Sequence, residues 1–144
     1  MNQDFIVTRH RSIKSKQDDL RFVTETVDVG RISPSAFFEA GQSCYEEKLM
    51  YWQNANQTLT LVGIGHATVL TSESVENRFT DISSSWARLS AALIKEEKDV
   101  APILFGGFSF YPKNEQDSEW DDFPSAYFVV PSFQLIRQNG KTLI

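Results

Sequence analysis

The sequence predicts an α+β domain with a largely antiparallel sheet, one long helix and one short helix. Strand-like segments outnumber helical ones, and several follow one another across short turn signals. Only one segment carries a clear apolar stripe at helical spacing. Successive strands joined by hairpins favour an antiparallel sheet with helices set to one side or end.

Two regions carry the early strand prediction. The segment "LRFVTETVDV" alternates and is rich in β-branched residues, and Gly30 ends it. The segments "KLMYWQ" and "TLTLVGIGHATVL" are joined by "NANQ", whose asparagines suit a turn. These two segments predict a hairpin.

The short helix is predicted from "SPSAFFEAGQ". Ser33 is placed to cap it, Pro34 fits its first turn, and Gly41 fits just past its end. The long helix is predicted from apolar residues at spacings of three and four, namely Val75, Phe79, Ile82, Trp86, Leu89 and Leu93.

The stretch "PILFGGFSFYP" reads as a strand interrupted by two glycines. Apolar residues occupy both of its alternations, so we expect both faces to be covered. Gly106 and Gly107 then mark a close approach, and Gly107→Val is expected to destabilise the fold by about 1 to 3 kcal/mol through overpacking. The residues expected to have structural and not catalytic roles are Gly106, Gly107, Phe108, Trp86 and Trp120.

The N-terminal and C-terminal ends of the sequence predict different structures. Residues 1–20 have little apolar periodicity and are expected to form a loosely ordered arm, with 21–144 as the domain. "SAYFVVPSFQLI" predicts a strand in which Pro131 implies a bulge or an edge. Asn139-Gly140 then predicts a hairpin with a short return strand, so we expect the chain to be a shortened form of a longer protein.

Composition excludes several classes of partner. The chain has 14 basic and 19 acidic residues, for a net charge of −5, which disfavours nucleic acid. No apolar run approaches the roughly 20 residues that cross a bilayer. Cys44 is the single cysteine and cannot form an internal disulfide. The cytoplasm is therefore the expected location, with no membrane partner.

Two motifs resemble chemical sites but fit them poorly. "GIGHAT" has Thr68 where a dinucleotide-binding loop needs a third glycine, and strand follows it instead of helix. The acidic loop from Lys113 to Asp122 lacks the glycine, the final glutamate and the helices of a calcium loop. Both are interpreted as structural or solvated segments.

The candidate nucleophiles and ligands are equally isolated. His10 and His66 are too few for an ordinary metal site and are interpreted as surface histidines. Cys44 is interpreted as a small buried thiol. Residues 83–85 are serines expected on the helix surface, and "RHRSIKSK" is expected to be a solvated basic arm.

An ordered set of motifs identifies a family. "SAFFEAGQ", "YWQNANQTLTLVGIGHA", the pair Arg78-Phe79, Trp86, "PILFGGFSFYP" and "WDDFPSAYFVVPSFQL" resemble, in the same order, the N-terminal region of isochorismate synthases. The likeness covers about residues 33–137 and is strongest to the menaquinone-type enzymes.

The resemblance implies one half of an anthranilate-synthase-like, chorismate-binding α/β sandwich, with the active site mainly in the C-terminal part. In this family a lysine activates water, a glutamic acid protonates the departing hydroxyl, and further glutamates hold magnesium. The lysine belongs to a "KVVLAR"-like strand, which does not occur here. No catalytic or metal-binding residue is therefore assigned to this chain, which is expected to be inactive alone and to bind no cofactor, with Mg²⁺ implied for the full enzyme.

Partners follow from the same resemblance. We expect the C-terminal catalytic part of the enzyme as a partner, chorismate as the substrate of the full enzyme, and a homodimer through exposed strand edges as an additional form. The alternative is a stand-alone small-ligand-binding or regulatory module, because related anthranilate synthases bind tryptophan through their N-terminal part.

Overall fold

The computed structural model describes residues 5–14, 20–30, 32–46, 48–97, 99–110, 123–138 and 141–142. Within them the chain forms two sheets and two helices, which confirms the α+β prediction. The strands are β1 (Phe5–Lys14), β2 (Leu20–Gly30), β3 (Leu49–Gln53), β4 (Leu59–Ile64), β5 (Thr68–Ser72), β6 (Leu93–Ile94), β7 (Phe105–Phe108), β8 (Ala126–Val130), β9 (Phe133–Gln138) and β10 (Lys141–Thr142), and the helices are α1 (Pro34–Tyr45) and α2 (Arg78–Ala91).

The large sheet has the strand order β3-β4-β9-β1-β2-β6, with β10 also paired to β9. Its pairings are antiparallel except for the short parallel contact of β6 with β2. The predicted β3–β4 hairpin and the β9–β10 hairpin are both present. Residues 139 and 140, at the predicted turn of the second hairpin, lie outside the described residues.

The small sheet has the antiparallel order β5-β8-β7. One core cluster lies between α1 and the large sheet and contains Phe37, Val62, Ile64 and Leu135. A second cluster joins β2, α2 and β8 through Phe22, Leu89 and Val130. The two clusters bury apolar side chains from both sheets and both helices, which is the main source of stability in such a domain.

The N-terminal segment differs from the expectation of a loosely ordered arm. β1 pairs with β2 along its whole length, from Phe5–Gly30 to Lys14–Leu20. Its inward positions include the buried polar residues Thr8 and His10, whereas Arg9 and Arg11 are exposed. Because polar residues occupy both alternations, the strand carries no apolar period that reveals it.

Helix α1 begins as predicted but ends later. The amide of Ala36 donates to Ser33 Oγ at 3.1 Å, which is the predicted N-cap. The helix continues through Gly41 to Tyr45, so the prediction that Gly41 follows its end is wrong. A Cβ on Gly41 would lie 2.7 Å from Ile64 Cδ1, so this glycine permits close packing of helix on sheet.

Helix α2 is shorter than its predicted stripe. It begins at Arg78 and ends at Ala91, so Val75 precedes it and Leu93 lies in β6. Ile82 and Leu89 are buried as the stripe predicts.

Two segments predicted as single strands each divide between the sheets. The first turns at Gly65, which has a φ of +69°, and continues as β5. The second is interrupted at Pro131 between β8 and β9, so Pro131 separates two strands instead of forming a bulge in one. Both breaks occur where the chain leaves one sheet for the other.

Candidate functional site

The glycine-containing strand β7 lies at one edge of the small sheet. It pairs with β8, and no described strand pairs with its other side. Phe105 is half-buried, whereas residues 106–108 are exposed. The prediction that both faces are covered is therefore wrong for the described part of the molecule.

The two glycines of β7 have different surroundings. A Cβ on Gly106 would lie 2.1 Å from the backbone oxygen of Tyr127 and 2.6 Å from Phe128 Cα, so only glycine fits. Among the described residues, no atom lies within 4 Å of where a Cβ on Gly107 would stand. The close approach predicted for the pair exists at Gly106, whereas no described residue lies close enough to Gly107 to give the overpacking expected for Gly107→Val.

Phe108 belongs to an aromatic cluster beside the start of α2. Its ring centroid lies 4.4 Å from that of Phe79 and 4.9 Å from that of Phe128. The Arg78 guanidinium stands 4.8 Å from the Phe79 ring centroid, and its Nη1 donates to the Val75 carbonyl. Phe79 nevertheless remains 56% exposed and Phe108 38% exposed, so the cluster presents apolar surface.

The other predicted structural residues fall in two places. Trp86 is half-buried and packs against the core cluster that contains Phe22, Leu89 and Val130. Trp120 lies outside the described residues. The structural roles assigned to these residues remain predictions, because no variant tests them.

A buried polar cluster, which the sequence did not reveal, lies on the inner face of the large sheet. His10 is 2% exposed, in contrast to the surface position expected for it. Its Nδ1 lies 3.0 Å from Thr24 Oγ1, and its ring stacks on Phe22 with centroids 5.9 Å apart. Burial lowers the pKa of His10 to about 4, and the Gln134 side chain opposes this shift. His10 is therefore neutral near pH 7.

Gln134 connects this cluster to the segment that leads into β7. Its Nε2 donates to the Ala101 carbonyl at 3.0 Å, and its Oε1 accepts the Ile103 amide at 3.0 Å. The nitrogen and the oxygen of this buried side-chain amide therefore both form hydrogen bonds. The arrangement fixes the segment before β7 against the large sheet.

The remaining candidate catalytic or metal-binding residues are His66, Cys44 and the serines of α2. His66 is half-buried, and its pKa is lowered first by burial and then by the charge of Lys48. Cys44 is exposed, so the prediction of a buried thiol is wrong. Its Sγ lies 3.6 Å from Ser43 Oγ. Ser83 and Ser84 are exposed on α2, as predicted, whereas Ser85 is half-buried.

Among the described residues, no group of three or more histidine, cysteine or acidic side chains could hold a metal ion. The described donor set therefore does not fit magnesium, and no catalytic step is assigned to a metal here. The acidic loop weighed as a calcium site falls on residues 113–122, which are outside the described ranges. Within those ranges, no helix has the length and apolar character required to span a membrane.

Comparison with known proteins gives two relatives. A sequence model of the chorismate binding enzymes matches residues 8–144. Isochorismate synthase MenF of Bacillus subtilis is 34% identical, over 72% of this chain and 24% of that protein. The salicylate biosynthesis isochorismate synthase of Pseudomonas aeruginosa is 25% identical, over 83% of this chain and 24% of that protein. The chain thus spans about a quarter of each relative, and no solved structure matches it.

Proposed function

Because the chain belongs to the chorismate-binding enzyme family, we propose that it forms the N-terminal part of an isochorismate synthase. The observation that carries this proposal is the family match over residues 8–144. Both relatives are isochorismate synthases by name, and the chain corresponds to 24% of each. The reaction of the full protein is then the conversion of chorismate to isochorismate.

The proposed role of this part is structural. It supplies two sheets and two helices that form one side of the enzyme. Their packing through the two core clusters stabilises that side. The proton-transferring groups and the magnesium ligands that the family resemblance implies belong to the C-terminal part, which is the proposed partner.

The pathway and the location extend the same proposal. Menaquinone synthesis is favoured over salicylate synthesis because the ordered motifs resemble the menaquinone-type enzymes most strongly, and because identity to the salicylate biosynthesis relative is 25%, against 34% for MenF of Bacillus subtilis. A cytoplasmic location is supported by the single cysteine, since disulfide-rich chains are typical of secreted proteins.

Chromatographic assays of chorismate conversion test the proposal with two proteins, the 144-residue chain and the full-length protein encoded by the continuing reading frame. We expect isochorismate from the full-length protein only. Turnover by the 144-residue chain would contradict the structural role, and a reading frame that ends at Ile144 with no companion polypeptide would contradict the proposal as a whole.

Calorimetry on the 144-residue chain distinguishes the structural role from the regulatory alternative. Titration with tryptophan, chorismate and isochorismate should give no saturable heat if the chain is a structural part alone. Saturable binding at micromolar concentration would favour a stand-alone small-ligand module instead.

A further inference from the structure

We propose that the outer edge of β7 receives an extended strand from the C-terminal part of the protein, with Gly107 at the point of closest approach. This inference rests on the proposed function and names the surface by which the two parts of the enzyme meet. It depends on three features of β7: its open edge, its glycine and its apolar flanks.

The edge of β7 is short, at four residues, but it carries no charged side chain or proline that would block pairing. Natural edge strands are usually blunted by charged residues, proline or bulges. β7 reads Phe-Gly-Gly-Phe and pairs with β8 in regular register. The amide of Ser109 donates to the Ser125 carbonyl at 2.9 Å, so ladder alternation turns the amides and carbonyls of Gly106 and Phe108 toward the open edge.

Gly107 is not required for packing against any described residue of this chain. A glycine inside a strand costs roughly 0.5 to 1 kcal/mol relative to alanine. Gly106 is required because Tyr127 lies against it, but a side chain at Gly107 would enter open space. A glycine in a strand often marks the approach of another backbone. The open side of Gly107 therefore points to a neighbour outside the described residues.

Both faces beside this edge are apolar. Gly107 pairs with Tyr127 on one face, where Tyr127 is 41% exposed. Phe108 and Phe79 lie on the other face with their rings in contact. An added strand would place alternate side chains against these two surfaces. The absence of a side chain at Gly107 leaves space for one of them beside Tyr127.

The C-terminal part is a better occupant than a second copy. A β7–β7 pair would join two chains of net charge −5 through four residues of backbone each, and it would also incur the entropy of association. A strand from the same polypeptide avoids most of that entropy. The relatives are long enough to supply it, because this chain corresponds to only 24% of each.

Gly107→Val tests the inference when its effect on the melting temperature is measured in both the 144-residue chain and the full-length protein. In the 144-residue chain, the melting temperature should stay unchanged or rise, because valine favours strands and meets open space. In the full-length protein, which the relatives indicate is about three times as long, it should fall by about 2 °C, the shift expected for roughly 2 kcal/mol in a chain of that length. Thr71→Val, at an exposed position on β5 at the opposite edge, is the matched control and should act alike in both lengths.

Amide hydrogen exchange on the unaltered proteins gives a second readout. The amides of Gly106 and Phe108 should exchange rapidly in the 144-residue chain and slowly in the full-length protein. Equal exchange in both lengths, or equal effects of Gly107→Val in both, would overturn this inference while leaving the proposed function intact. Concentration-dependent protection of β7 in the 144-residue chain, with dimers in sedimentation, would instead identify a second copy as the occupant and overturn it too. A reading frame that ends at Ile144 overturns the proposed function and the inference together.

Discussion

His10 Nδ1 and Thr24 Oγ1 lie 3.0 Å apart between paired strands, with both side chains almost completely buried. Burial disfavours the imidazolium, which lowers the pKa of His10 to about 4. The cluster thus contains a histidine that is neutral when folded and has an ordinary pKa of about 6.5 when unfolded.

This difference predicts a pH dependence of stability. Because the folded pKa is the lower one, the unfolded chain binds more protons between about pH 6.5 and pH 4. The stabilisation is complete above that range and declines as the pH falls through it, by up to about 3 kcal/mol. Urea unfolding of the unaltered chain and of His10→Gln at several pH values measures the effect. His10→Gln should lose this part of the pH dependence of the free energy of unfolding. Parallel pH profiles for the two proteins would contradict the prediction.

Asp99→Ala should destabilise the chain. The buried carboxylate accepts the Thr26 amide at 2.9 Å and the Glu96 amide at 2.7 Å, which fixes the segment after β6 to β2. Removing it leaves two amides without this acceptor, and we expect a loss of about 2 to 4 kcal/mol in the free energy of unfolding. Glu39→Ala, at an exposed acid on α1, is the control. Small and comparable losses of unfolding free energy in both variants would show that the Asp99 carboxylate does not stabilise the contact of this segment with β2.

Gly41→Ala should also destabilise, although alanine is the better helix former. The new Cβ would lie 2.7 Å from Ile64 Cδ1 and 2.8 Å from Leu49 Cδ2, so both side chains must shift. Overpacking of this kind costs about 1 to 3 kcal/mol, more than the roughly 1 kcal/mol gained from helix propensity. Chemical denaturation should detect the net loss.

Ile64→Val provides a partial rescue for Gly41→Ala, because valine lacks the Cδ1 that would lie 2.7 Å from the new methyl group but keeps the Cγ1 at 2.9 Å. The double variant should therefore be less destabilised than the sum of the two single changes. Strict additivity would show that the contact with Ile64 Cδ1 does not contribute to the destabilisation. Gln42→Ala, at the next and exposed position of α1, controls for helix propensity.

Gly106→Ala should be the most disruptive small change in β7. The methyl group would overlap the Tyr127 backbone oxygen, which cannot move without distorting the β7–β8 ladder. We expect a loss of at least about 2 kcal/mol in unfolding free energy, toward the upper end of overpacking costs. Gly107→Ala is the matched control in the same strand and should be close to neutral in the 144-residue chain. Similar losses for both would contradict the different surroundings of the two glycines.

Local patterns identified several elements for clear physical reasons. The Ser33-Pro34 start of α1 and the alternating strand before Gly30 are set by nearby residues, and the structure contains both. The asparagine-rich turn likewise joins β3 to β4. The ordered motifs also indicated the family that the comparison over residues 8–144 shows.

The sequence by itself determined the class of fold, most of the strands and the start of α1, because propensity, capping and turn chemistry act between residues close in the chain. Only the tertiary structure decided that β1 is a full strand, that Gly41 lies within α1, and that His10 is buried. It also distinguished the crowded Gly106 from the open Gly107. Each of these depends on which distant backbone or side chain lies opposite, and pairing across two sheets leaves no period in the local sequence from which it could be read.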